Sequence, residues 1–290
     1  MDIIWKKAAI YYGAAIFFSW TAWIGTIVLA SANNIDIIYN EGFFKIFTEG
    51  AESAAQLSAH LVFTAATYGP LFGALIVRLW MKGKRSKGVL QDSTIRSKPL
   101  KLNWLLLIAV YPLVLFPVAL GLSFVLTGFS GEFQPLGLPI WFFVIFFVFQ
   151  CLTSGIEEFG WRGYLQPLLQ TKYKAEKSCY IVGILWSVWH YPFIIFINQQ
   201  NGLWMTLLML AGFTLLTVPQ AFVLGWLYNS TRNVFLCVIF HAWSNTVAAY
   251  LLVTSSAPQV TPIVVAVMTW LIASYLVKKY GKENLRVEGN

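Results

Sequence analysis

Apolar residues in this chain run in long unbroken blocks, with neither the period-2 alternation of strands nor the single stripe of a surface helix. Blocks of about 20 residues or more, the length a helix needs to cross a bilayer, lie near 8–32, 56–81, 104–127, 138–158, 178–197, 203–228, 234–254 and 260–277. The pattern predicts an all-α, polytopic membrane protein of about eight transmembrane helices. The fourth block is expected to continue as helix through a charged motif to about Leu169. No intervening stretch is long enough to fold separately, so residues 1–290 read as a single transmembrane domain.

The polar breaks between blocks set an orientation. Lys6 and Lys7 precede the first span, Lys82, Lys84, Arg85, Lys87, Arg96, Lys98 and Lys101 follow the second, and Lys172, Lys174 and Lys177 follow the fourth. Arg232 follows the sixth, and Lys278, Lys279, Lys282 and Arg286 follow the last. The alternate breaks carry Asp36, Glu41, Glu49 and Glu52 against Lys45, then Glu132, or no charge at all. Basic loops stay in the cytoplasm, so both termini are expected there. The run from Ala8 to Ala32 is too long for a secretory h-region of about 7–15 residues, and it reads as an uncleaved first span despite Ala30-Ser31-Ala32.

Composition agrees. The chain is 58% hydrophobic and only 11% charged, against roughly 25% charged in soluble domains. A formal net charge of +8 would suggest nucleic-acid binding in a soluble protein. Here the basic loops account for it, and the expected partner is the anionic lipid surface, not nucleic acid. Cys151, Cys179 and Cys237 are widely spaced, with no CxxC pair, so free thiols are expected rather than a disulfide or zinc site.

Ionisable side chains within a bilayer are costly and are usually functional. Here they gather in three places: Glu157, Glu158 and Arg162 at the end of the fourth span, His190 about halfway along the fifth, and His241 with Asn245 in the seventh. Glu158 and Arg162 stand four apart on a helix and can pair. Glu157, one residue round, points elsewhere and remains free for chemistry. His241 and Asn245 share a helix face, suited either to binding a polar partner or to holding helices together. His60, near the outer end of the second span, has no partner in the pattern and reads as structural.

A carboxylate beside a histidine can deprotonate water, and a second histidine with an asparagine can stabilise an oxyanion. Those parts suffice to hydrolyse an amide. A glutamate and two histidines can equally ligate zinc. Neither an HExxH nor a GxSxG motif is present.

Glu157-Glu158-x-x-x-Arg162, Trp186-x-x-x-His190 and His241-x-x-x-Asn245, in that order on successive apolar segments, resemble the motifs of the CAAX protease and bacteriocin-processing (CPBP, or Abi) family of intramembrane endopeptidases. The stretch Glu157 to Leu169 is similar to the family's first motif with its flank, and the motif-bearing core covers about residues 140–255. Trp186 is a departure, since the family usually has phenylalanine there. The resemblance implies that Glu157 and His190 activate water, that His241 and Asn245 form an oxyanion hole, and that Glu158 and Arg162 support the site or orient substrate. It implies hydrolysis of a peptide bond in a membrane-associated or prenylated peptide substrate without a cofactor. A divalent metal such as zinc on Glu157, His190 and His241 is the alternative.

The expected setting is a bacterial plasma membrane. At about 1.5 Å per residue, His241 and His190 lie about 12 and 18 Å from the cytoplasmic face, within reach of a cavity open to that side. The competing readings are a non-catalytic scaffold or bacteriocin self-immunity factor of the same family, and a proton-coupled transporter. The sequence shows none of the repeat symmetry or paired broken helices that transporters carry.

Overall fold

The computed structural model describes residues 2–37, 46, 49–81, 101–129, 140–253 and 259–287. The basic loop at 82–100, the acidic positions Glu41 and Glu132, and the loop at 254–258 lie outside the described residues. The fold is all-helical, and no strand occurs among the described residues.

Among the described residues, seven helices are long and apolar enough to cross a bilayer: α1 (Ile3–Ala32), α2 (Ala54–Trp80), α3 (Leu102–Leu126), α4 (Trp141–Gln170), α7 (Leu203–Thr231), α8 (Val234–Leu251) and α9 (Thr261–Tyr280). A bent pair, α5 (Ala175–Trp189) and α6 (Tyr191–Asn201), meeting at 46°, is long and apolar enough when taken together, which makes seven to eight candidate spans. The chain is thus a multi-pass integral membrane protein. Exposed Phe17, Leu126, Trp204 and Leu271 face outward, which suits lipid as solvent. Within a bilayer the backbone must bond to itself, which helices do.

Local chemistry sets the ends and breaks. Asp2, Ser53 and Asn233 cap α1, α2 and α8 by accepting from backbone N–H groups two or three residues on, satisfying donors that a helix start leaves free. Pro192 has no N–H to offer residue 188, so the hydrogen-bond ladder fails there. The helix breaks at His190, whose backbone N–H turns back to Ser187 O at 3.0 Å. Sequence periodicity puts His190 in mid-helix; the proline makes it the hinge of the fifth crossing.

Helices approach most closely at small residues, as membrane packing requires. Gly69 and Gly73 of α2 lie against Ala15, Ser19 and Tyr11 of α1, and Ser19 Oγ donates to Ala66 O at 2.6 Å. Gly160 of α4 lies on the backbone of Pro70. A Cβ added at Gly160 would come within 2.4 Å of Pro70 C and O, and neither backbone can yield cheaply. Gly160→Ala is expected to destabilise the protein by about 1–3 kcal/mol, the usual cost of overpacking, read as a lower midpoint of thermal unfolding in detergent.

Both ends of the described chain meet one turn. Lys172 pairs with Asp2, and Trp5 Nε1 donates to Tyr173 Oη at 2.8 Å. The N–H groups of Ala175 and Glu176 donate to Glu283 O and Lys282 O at 2.9 and 3.0 Å. The N-terminus, the turn after α4 and the segment after α9 therefore share one end of the bundle. The exposed pairing of Asp2 with Lys172 holds the Asp2 carboxyl below its ordinary range and raises the lysine.

Candidate active site

The regular α-helix of α4 gives way where its charges begin. Gly155–Glu157 form a 3₁₀ turn, Glu158–Gly160 one α turn, and Trp161–Leu165 a π turn. Such π turns are frequent at functional sites because they shift the register of the side chains that follow.

Glu158 and Arg162 form the expected pair, with Arg162 Nη1 donating to Glu158 Oε1 at 3.0 Å, both side chains fully buried. The same oxygen accepts from His241 Nδ1 at 2.9 Å. A carboxylate in this pair can only accept, so His241 carries its proton on Nδ1 and turns Nε2 away. Glu158 is therefore the junction of α4 and α8.

Below that junction lies a second set of contacts that the sequence reading missed. Gln150, Ser154 and Glu158 stand at steps of four along α4 and face Asn245 and His241 on α8. Asn245 Nδ2 donates to Ser154 Oγ at 3.0 Å and to Gln150 Oε1 at 3.4 Å. Ser154 Oγ donates to Gln150 Oε1 at 2.5 Å. His241 and Asn245 thus point into the bundle, and His241 is only 7% exposed. The signal in the sequence was a polar residue every fourth position in a block otherwise apolar on that face.

Glu157 points elsewhere, as its one-residue offset requires. It is 2% exposed, and its Oε2 accepts from Trp186 Nε1 at 2.9 Å. His190 is half-buried among aromatic rings, with centroids of Trp189 at 4.5 Å, Phe213 at 5.1 Å and Trp23 at 6.2 Å. Its Nδ1 lies 2.9 Å from Trp186 O. A carbonyl only accepts, so Nδ1 carries the proton and Nε2 keeps its lone pair.

Trp186 ties the groups together. Its ring centroid lies 6.1 Å from that of His190 and 5.2 Å from that of His241, with the Arg162 guanidinium 4.6 Å over its face. All six expected site residues thus fall in one connected set joining α4, α5 and α8. His60 stands on α2, its Nδ1 bonded to Gln56 O of its own helix at 2.8 Å, a structural contact. Cys151, Cys179 and Cys237 are free thiols.

Among the described residues, no three His, Cys, Asp or Glu side chains are placed to hold a metal ion. Glu157, His190 and His241 do not form such a group.

Residues 137–247 match the model of the type II CAAX prenyl endopeptidase Rce1-like family. The matched stretch holds every residue of the cluster just described. CAAX prenyl protease 2 of Methanococcus maripaludis is 29% identical over 194 residues, 63% of this chain and 66% of that protein. Lysostaphin resistance protein A of Staphylococcus haemolyticus is 25% identical over 219 residues, 73% of this chain and 55% of that protein. The Staphylococcus aureus USA300 protein of the same name is 27% identical over 191 residues, 63% of this chain and 41% of that protein. The chain therefore spans roughly two-fifths to two-thirds of the length of these relatives.

Proposed function

From its similarity to the CAAX protease and bacteriocin-processing family, we propose that the chain is an intramembrane endopeptidase acting by Glu157- and His190-activated water. The observation that carries this reading is the division of labour between the two neighbouring carboxylates. Glu158 is consumed by Arg162 and His241, whereas Glu157 forms no ion pair among the described residues and accepts through Oε2 from the Trp186 N–H.

In the proposed reaction, Glu157 Oε1 takes one proton from a water whose other hydrogen is held by His190 Nε2, and the hydroxide so formed attacks the scissile carbonyl. His241 Nε2 and Asn245 Nδ2 donate to the oxyanion that results. Since His241 already donates through Nδ1, its Nε2 donates only from the doubly protonated ring, whose charge Glu158 faces. Asn245 exchanges its longer bond, to Gln150, for the oxyanion. Glu157 then returns the proton to the leaving amine. Arg162 keeps Glu158 in place.

The substrate class proposed is a membrane-associated or prenylated peptide, reached from the cytoplasm. The end of the bundle where both termini meet carries Lys6, Lys7, Lys172, Lys174, Lys177, Lys278, Lys279 and Lys282, and positive charge marks the cytoplasmic side. The proposed setting is a bacterial plasma membrane, with the whole chain as one domain.

The test is a comparison of membrane-protein termini between cells with the native chain and cells with Glu157→Ala. New chain ends that vanish in the variant support the protease; identical termini refute it. The reading uses no metal, so cleavage by the purified chain is expected to survive prolonged chelation with EDTA and phenanthroline, with the rate within about two-fold of untreated protein. A second reading, a non-catalytic resistance or scaffold role, draws on the name of the staphylococcal relatives. It predicts that a cellular phenotype survives Glu157→Gln.

A further inference from the structure

Trp186 stands where the sequence motif usually has phenylalanine, and the extra atom it brings is the one that matters. A phenylalanine ring would fill much of the same space. It would still place an edge against His241 and a face beneath Arg162. It has no N–H. In this chain that N–H lies 2.9 Å from Glu157 Oε2, with the tryptophan 3% and the glutamate 2% exposed.

We propose that Trp186 is a positioning residue for Glu157, holding the carboxylate by its indole N–H so that Oε1 faces the water shared with His190. This inference rests on the protease reading above and assigns a role to a residue outside the set of four proposed to act on water and oxyanion.

Three observations carry it. First, the bond joins groups 29 residues apart on separate helices, α4 and α5, so it is a tertiary contact with a defined direction. Second, the same residue fixes the other proposed base: the backbone carbonyl of Trp186 accepts from His190 Nδ1 at 2.9 Å. One residue thus orients Glu157 through its side chain and His190 through its main chain. The relative placement of the two bases then depends on one rigid unit. Third, burial does not by itself supply an indole with an acceptor here. Trp189 and Trp226 are also buried, and their Nε1 atoms meet no acceptor among the described residues. Trp161 also turns its indole toward Glu157 but makes no hydrogen bond within geometric reach, so the Trp186 N–H is the one that binds the carboxylate.

Orientation has kinetic value because a general base must stand within hydrogen-bond reach of the proton it takes, and small misplacements are costly. Losing a hydrogen bond to a charged group corresponds to about a 10- to 100-fold change. The effect should fall on kcat, since the bond lies at the base and not at a substrate-binding surface.

Two arms test this on the full chain in lipid nanodiscs. In the first, the protein is labelled with ¹⁵N at the indole nitrogens of its 13 tryptophans, and the Trp186 signal is assigned by its loss in Trp186→Phe. Glu157→Ala is expected to move that signal upfield; a signal that does not move overturns the proposal. In the second, Trp186 is replaced by 3-benzothienylalanine, which keeps the bicyclic shape and substitutes sulfur for N–H. The expected result is kcat lowered about 10- to 100-fold at unchanged KM, in a protein that still folds and inserts. Wild-type kcat in this variant, or a loss confined to KM, overturns the proposal. A native chain that cleaves no peptide would count against the protease reading, and the spectroscopic arm, which needs no turnover, would still decide whether Trp186 holds Glu157.

Discussion

Glu157→Gln is expected to lower peptide cleavage by about 1,000-fold or more while leaving the protein folded and inserted. The substitution exchanges one oxygen for an amide nitrogen. The remaining amide oxygen still accepts from Trp186 Nε1, so the contact that fixes the side chain at 2.9 Å survives. What disappears is the ability to take a proton. General base catalysis is worth about 10²–10⁴, and here the same group is asked to return the proton to the leaving amine, so the loss should fall in the upper part of that range. Glu158→Gln is the informative neighbour. It keeps an acceptor for His241 and removes the charge facing Arg162, so its damage should include stability as well as rate. Rates on a fluorogenic peptide in proteoliposomes, with melting curves for each variant, separate the two carboxylates. Cleavage by Glu157→Gln within ten-fold of the native rate would remove Glu157 from the role of base.

That asymmetry between adjacent glutamates was legible in the sequence, because helical spacing alone pairs Glu158 with Arg162 and turns Glu157 aside. The eight apolar blocks were legible for a similar reason: bilayer thickness imposes one length on every crossing. Contacts between helices were not. The Glu158–His241 bond spans 83 residues of sequence and the Asn245–Ser154 bond 91, and no local periodicity encodes such a register. Gln150 and Ser154 were not singled out in the sequence, because what marks them is α8 lying against them. Trp186 read as a packing change because its N–H has a direction only in three dimensions. The bend at His190 was the nearest miss, since Pro192 is plain in the sequence and its effect on the ladder one turn back follows from its missing donor.

Arg162→Leu is expected to be the most destabilising change at the site, by about 3–5 kcal/mol, the cost of removing one partner from a buried ion pair. Arg162 is fully buried, bonded to a fully buried Glu158 and laid over the Trp186 ring. Leucine replaces its volume but leaves Glu158 with His241 as its remaining hydrogen-bond partner. The penalty is thus for an uncompensated charge more than for lost packing, and this makes a further result decisive. Adding Glu158→Gln to Arg162→Leu removes the stranded charge while the glutamine oxygen still accepts from His241 Nδ1. The double variant should therefore be more stable than Arg162→Leu alone, although it carries one more mutation. Unfolding titrations in mixed detergent micelles measure both. If the double variant is the weaker of the two, the arginine acts through shape and its stacking on Trp186, and charge neutralisation of Glu158 is not what holds α4 against α8.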